Sequence, residues 1–108
     1  MRDFVLVSPD FFSSEGIQAV SPPARLMTLA IGLLADEDGM IPLSSDLLRA
    51  YAFPTDTGLD VDSILDELVA VGFLEVHVCC DRDYLYAPAI HQRIEAARRL
   101  RGNQEDDD

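Results

Sequence analysis

Residues 60–87 read DVDSILDELVAVGFLEVHVCCDRDYLYA, and the hydrophobic period changes partway along the stretch. Val61, Ile64, Leu65, Leu68 and Val71 recur at helical spacing, which predicts a helix from about Asp60 to Val71. Asp60 and Asp62 stand at its N-terminus, where the helix dipole favours negative charge. Gly72 is placed to end it. From Phe73 to Cys80 the period falls to two, Cys80-Asp81-Arg82-Asp83 turns, and Tyr84 to Ala87 returns as a second strand. A helix feeding directly into a hairpin is the unit around which the rest of the chain has to be arranged.

Working outward, Ser21-Pro22-Pro23 is a strong helix start, an N-cap hydroxyl followed by prolines whose missing N–H costs nothing there. The helix is expected to reach about Ala35. Leu26, Leu29, Ala30 and Leu33 form one apolar stripe and Met27, Ile31 and Leu34 a second, so burial on more than one side is expected. Asp36-Glu37-Asp38-Gly39 reads as a turn and Met40 to Leu43 as a short extended piece. Ser44 or Ser45 caps a helix carrying Leu47, Leu48 and Tyr51, which stops before Pro54. A last helix, about Ala89 to Arg101, buries Ile90, Ile94 and Ala97.

The expected order is helix, short strand, helix, helix, hairpin, helix. That is a mainly α fold with a small β-hairpin (α+β), a winged helix-turn-helix with an added C-terminal helix. Its expected parts are an extended lead-in with one short helical turn (1–20), the winged-helix core (21–88), the C-terminal helix (89–101) and an acidic tail (102–108). Phe4, Leu6, Phe11 and Phe12 of the lead-in either pack over the apolar helix or form a homodimer or partner interface. The first of these is the favoured expectation.

A chain of 108 residues holds one core of ordinary size, and 48% hydrophobic with 26% charged residues is a globular balance, not a disordered one. No apolar run is long enough to span a bilayer, and the N-terminal stretch lacks the pattern of a signal peptide, so a cytoplasmic location with no membrane partner is expected. The net charge is −12, from 20 acids against 8 bases, and every base is arginine. A polyanion is repelled by such a chain at long range, so any nucleic-acid role must rest on a local patch.

The chain also resembles the winged-helix domains of bacteriophage replication and regulatory proteins, the phage replisome-organiser-like family. The resemblance runs from about Phe11 to Arg93. It rests on Ser21-Pro22-Pro23-Ala24-Arg25-Leu26, Gly32 to Gly39, Ala52-Phe53-Pro54, Val61 to Leu68, Gly72-Phe73-Leu74, and Tyr84 to Pro88 followed by His91-Gln92. It implies a phage or prophage origin and a part in DNA replication or gene control. Relatives commonly carry a basic cluster at or before the second helix and a basic wing. Here those places read Leu43-Ser44-Ser45-Asp46 with only Arg49 basic, and Arg82 between Asp81 and Asp83.

The third helix would enter the major groove of DNA in such a domain. Its exposed face offers Asp62, Ser63, Asp66 and Glu67, acids and no base, which makes it a poor DNA reader and a candidate acidic face for a partner. The basic candidates are Arg49, Arg82, Arg93, Arg98, Arg99 and Arg101. Arg98 and Arg101 lie one turn apart, and Glu105 to Asp108 could fold back onto them. His77, Cys79, Cys80, Asp81 and His91 invite a zinc reading, but adjacent cysteines lack the spacing of a structural site, and strand alternation should turn the two thiols apart. No metal or other cofactor is therefore expected. Asp36 to Gly39 fails as a calcium loop, since its first and twelfth positions would be Leu34 and Ser45. No nucleophile elbow or phosphate-binding glycine loop is present, and an enzyme is not expected.

Two functions follow. The first, ranked ahead by a small margin, is a phage-type module that associates with DNA through its arginines. The second is an acidic protein-binding module, a DNA mimic among the options, that inhibits or recruits a nucleic-acid-binding protein of the host or phage.

Overall fold

The helices begin where a short polar side chain can accept from freed backbone N–H groups. Ser14 accepts from Ile17, Ser21 from Ala24, Ser44 from Leu47 and Asp60 from Ser63. The structure is a computed structural model that describes the backbone of residues 14–106 and the side chains of residues 14–100. The aromatic lead-in of Phe4, Leu6, Phe11 and Phe12 lies outside the described residues. The order is α1 (Glu15–Gln18), α2 (Pro22–Leu34), β1 (Met40–Pro42), α3 (Ser45–Ala52), α4 (Val61–Ala70), β2 (Glu75–Cys79), β3 (Arg82–Tyr86) and α5 (Pro88–Asp106). This is a mixed α+β fold with a small antiparallel sheet.

Gly72 ends α4 as expected. Its φ is +82°, its N–H donates to Val69, and the Phe73 N–H donates to Leu68, a Schellman closure that aims the chain into the hairpin. The sheet order is β1-β3-β2, so the returning strand of the hairpin sits in the centre. Ile41 and Val76 both lie opposite Leu85. Residues directly opposite share a face, which places Ile41 and Leu85 together on the helices. Met27, Ile31, Leu48, Leu68, Leu74 and Leu85 are the largest fully buried side chains, so the core lies where α2, α3 and α4 meet that face.

The turn before β1 is shaped by Asp36, whose Oδ1 accepts from the N–H groups of Asp38 and Met40 at 2.9 Å each. Gly39 completes it with φ +75°, and the Gly39 carbonyl accepts from Ala87 at 2.9 Å. A Cβ there would stand 2.8 Å from the His91 Cβ, so glycine lets α5 lie against this turn.

Two expectations need correction. Leu26 is 49% exposed and Leu29 and Leu33 are half-buried, while Ala30 of the same stripe is buried, so this side of α2 is covered only in part, whereas Ala24, Met27 and Ile31 are buried. On α3, which packs against α2 and α4, Leu48 is buried, whereas Leu47 and Tyr51 are exposed. The last helix does not stop at Arg101 to leave a tail from 102, but continues to Asp106. Gly102 weakens a helix by about 1 kcal/mol without removing a hydrogen bond, so it does not break one as proline would.

Candidate partner-binding surfaces

At the helical junction, most of the charge has a structural occupation. Glu67 accepts from both the Ser21 N–H and the Ser21 hydroxyl at 2.8 Å, joining the middle of α4 to the start of α2. It is half-buried, which corrects its assignment to an open acidic face. Asp62 accepts from the Ser45 hydroxyl and so ties α4 to the first turn of α3. Both partners sit at the start of another helix, far away in sequence, and neither pairing has a periodicity that would announce it. Asp60 accepts from the Ser63 hydroxyl at 2.9 Å, and this bond, with the Ser63 N–H, holds its carboxyl below the usual aspartate range. Asp62 and Asp66 are both exposed on this helix.

The arginines divide in the same way. Arg49 donates to the carbonyls of Asp56, at 3.1 Å, and Leu59, so it braces the loop between α3 and α4. A guanidinium has five N–H donors, and two of those of Arg49 are spent within the chain. Arg25, which sequence reasoning passed over, likewise clamps the end of α1 through the Ile17 carbonyl at 3.0 Å. Arg98 pairs with Glu37 at 3.0 Å, an exposed pair of small energetic weight that still lowers the local positive charge. Arg82 and Arg99 are exposed, and so is Arg93 on the same helix as Arg99. The side chains of Arg101 and of Glu105 to Asp108 lie outside the described residues, and with them the proposed fold-back contact.

On the outer face of the sheet, the Tyr86 hydroxyl meets His91 Nδ1 at 2.8 Å, and His91 Nε2 lies 3.6 Å from Glu95. The Tyr86 ring also lies 5.2 Å from His77, whose Nε2 is 3.4 Å from Glu75. This string of polar rings fastens α5 to β3. No group of three potential metal ligands converges among the described residues.

The hairpin tip is different. Cys79 pairs with Arg82 across a two-residue loop, and Cys80 and Asp81 have φ values of 56° and 65°. Positive φ at both central residues makes this a type I′ turn, whose twist suits a hairpin but which normally uses Asn and Gly. Cys80 is therefore out of the strand, and alternation does not apply to it. The two sulfurs stand 3.6 Å apart, not on opposite faces, and both residues are exposed. Beside them, β2 is an edge strand with Val76 51% and Val78 72% exposed. A shallow apolar groove on the opposite flank is formed by Pro22, Leu26, Phe53 and Leu59.

No helix among the described residues is long and apolar enough to cross a membrane. No protein-family model, curated protein or solved structure matches this chain, so the meaning of these surfaces rests on their own residues.

Proposed function

We infer that the chain is a non-enzymatic winged-helix module that binds a basic partner protein and does not read duplex DNA through α4. The observation carrying this reading is the outward surface of α4, with Asp62, Ser63 and Asp66 exposed and no cation among them. The helix in the groove-reading position of such a module would carry negative charge to the phosphates. Arg49 and Arg98, two of the cations that could offset it, are engaged within the chain. A net charge of −12 speeds encounter with a basic protein for the reason that it slows encounter with DNA. The element order and the β1-β3-β2 sheet support the winged-helix reading. The resemblance to phage replisome-organiser-like domains supplies a setting, phage or prophage DNA replication or gene regulation. Nucleic-acid-binding proteins with basic surfaces are at hand there to be inhibited or recruited.

A second reading, direct association with DNA, is favoured by exposed Arg82 at the hairpin tip and exposed Arg93 and Arg99 on α5. One titration separates the two. The full chain is titrated at low salt against labelled random duplex and single-stranded DNA. The partner-protein reading expects no saturable binding to either, and expects a host or phage protein to be retained by the chain and lost on Asp66→Arg substitution. Binding that falls steeply with salt and weakens on Arg82→Ala and Arg99→Ala substitution would establish the DNA reading instead.

A further inference from the structure

The cysteine pair belongs to neither reading of the helix faces, and its geometry is specific. Cys79 is the last residue of β2 and Cys80 the first of the turn, and the pairing of Cys79 with Arg82 fixes both on a short closed loop. Because Cys80 adopts φ 56°, its thiol swings to the side of Cys79 and the sulfurs come to 3.6 Å. A disulfide would need them at about 2.05 Å. Two sulfurs each about 2.3 Å from one shared centre, at a tetrahedral angle, stand about 3.8 Å apart. The observed spacing is thus that of two thiolates on one angular centre, and is well short of the two full bond lengths that a linear centre needs.

No third His, Cys, Asp or Glu joins the pair to make a three-ligand cluster among the described residues, so a closed metal site is not formed. A centre that brings its own third substituent needs no more than the two sulfurs. Asp81 follows the pair and Arg82 lies across the strand from Cys79, so the tip carries both signs of charge and it is the two sulfurs that select the ligand. Both thiols are open to solvent, so entry needs no opening of the fold.

We propose that the hairpin tip is a preformed bidentate dithiol site for one thiophilic trivalent centre, of which an organic arsenical is the simplest representative. With an arsenical of the form R–As=O, each thiol sulfur forms one bond to arsenic and the arsenic–oxygen bond breaks. The oxygen leaves as water with the two thiol protons, arsenic stays trivalent, and no oxidant or reductant takes part.

The test uses the full chain, reduced, with phenylarsine oxide as the probe. Intact-mass measurement is expected to show one arsenical per chain with loss of both titratable thiols. The adduct should survive an excess of a monothiol and be released by a small dithiol. Cys79→Ser and Cys80→Ser should each abolish the monothiol-resistant adduct, since one sulfur cannot close the ring. Adjacent cysteines in an unfolded chain also react, so the thermal midpoint decides whether the turn prepares the site. A ligand held better by the native hairpin raises the midpoint. A resistant adduct with a midpoint raised by a few degrees supports the proposal. Absence of a resistant adduct, its persistence in either serine variant, or a midpoint unchanged or lowered would overturn it.

Discussion

The two ends of residues 60–87 treat their polar groups in opposite ways. At the helical end, Asp60 closes on Ser63, Asp62 on Ser45 and Glu67 on Ser21, so that three carboxylates serve three helix starts. At the hairpin end, Cys79, Cys80, Asp81, Arg82 and Asp83 are all exposed and the turn holds two non-glycine residues at positive φ. The helical end is over-determined by packing around Leu68, whereas the tip is held by strand pairing alone. Three of the carboxylates of this stretch are therefore structural as well as charged, whereas Asp66 and the acids of the hairpin tip are exposed.

The largest break in that comparison should come from Leu68→Ala, which removes a fully buried side chain between α4 and its neighbours. A loss of about 3 kcal/mol is expected, read from the shift in the urea midpoint. A loss under about 1 kcal/mol would show that the junction is not packed as described. Glu67→Ala should cost less, about 1–2 kcal/mol, by leaving the Ser21 N–H and hydroxyl without their acceptor. Pairing it with Ser21→Ala tests the link directly, because two independent sites would add and these should not.

At the tip the sign reverses. Cys80→Asn with Asp81→Gly supplies the residues that a type I′ turn prefers and should stabilise the chain by about 0.5–1 kcal/mol. A lower melting temperature in that variant would mean that the present turn is not a source of strain.

The smallest effect concerns acid. The Asp60 carboxyl is held below its ordinary value by Ser63, so its contribution is complete above the unfolded-state pKa and is lost as pH falls through the folded-state one. Asp60→Asn keeps a capping oxygen without titrating, and should flatten this part of the acid limb in pH-dependent unfolding. An unchanged limb would assign it to other carboxylates.

Legibility followed the range of the interactions. The α4 helix was readable to within a residue at each end, because Asp60, the apolar period and Gly72 are all local signals. The hairpin was readable as a unit, but its strands start at Glu75 and Arg82 rather than at Phe73 and Tyr84, and its turn is two residues rather than four. The exposure of Leu26 and Leu47 was not readable, since periodicity shows that a face is apolar but not whether a neighbour covers it. The acidic face was legible as a set of residues, and Asp62 and Asp66 are exposed on it, but the bonds that tie two of its acids to other helices were not legible. Glu67 and Asp62 find partners 46 and 17 residues away. The bracing role of Arg49 was not legible for a like reason, its acceptors being backbone carbonyls, which every residue has and no pattern distinguishes.

The sequence by itself determined the order of the elements, their caps, the net charge of −12 and the lack of any cation on the outward side of α4. These depend on composition and on contacts within a turn or two of helix. Only the tertiary structure decided that β3 would lie between β1 and β2, that Glu67 would hold the start of α2, and that the two thiols would meet. The first two require segments far apart in the chain to pack together, a choice made by the shared core around Leu68 and Leu85. The third requires a backbone in the left-handed region at Cys80, which two paired strands impose and which the residue alone would not choose.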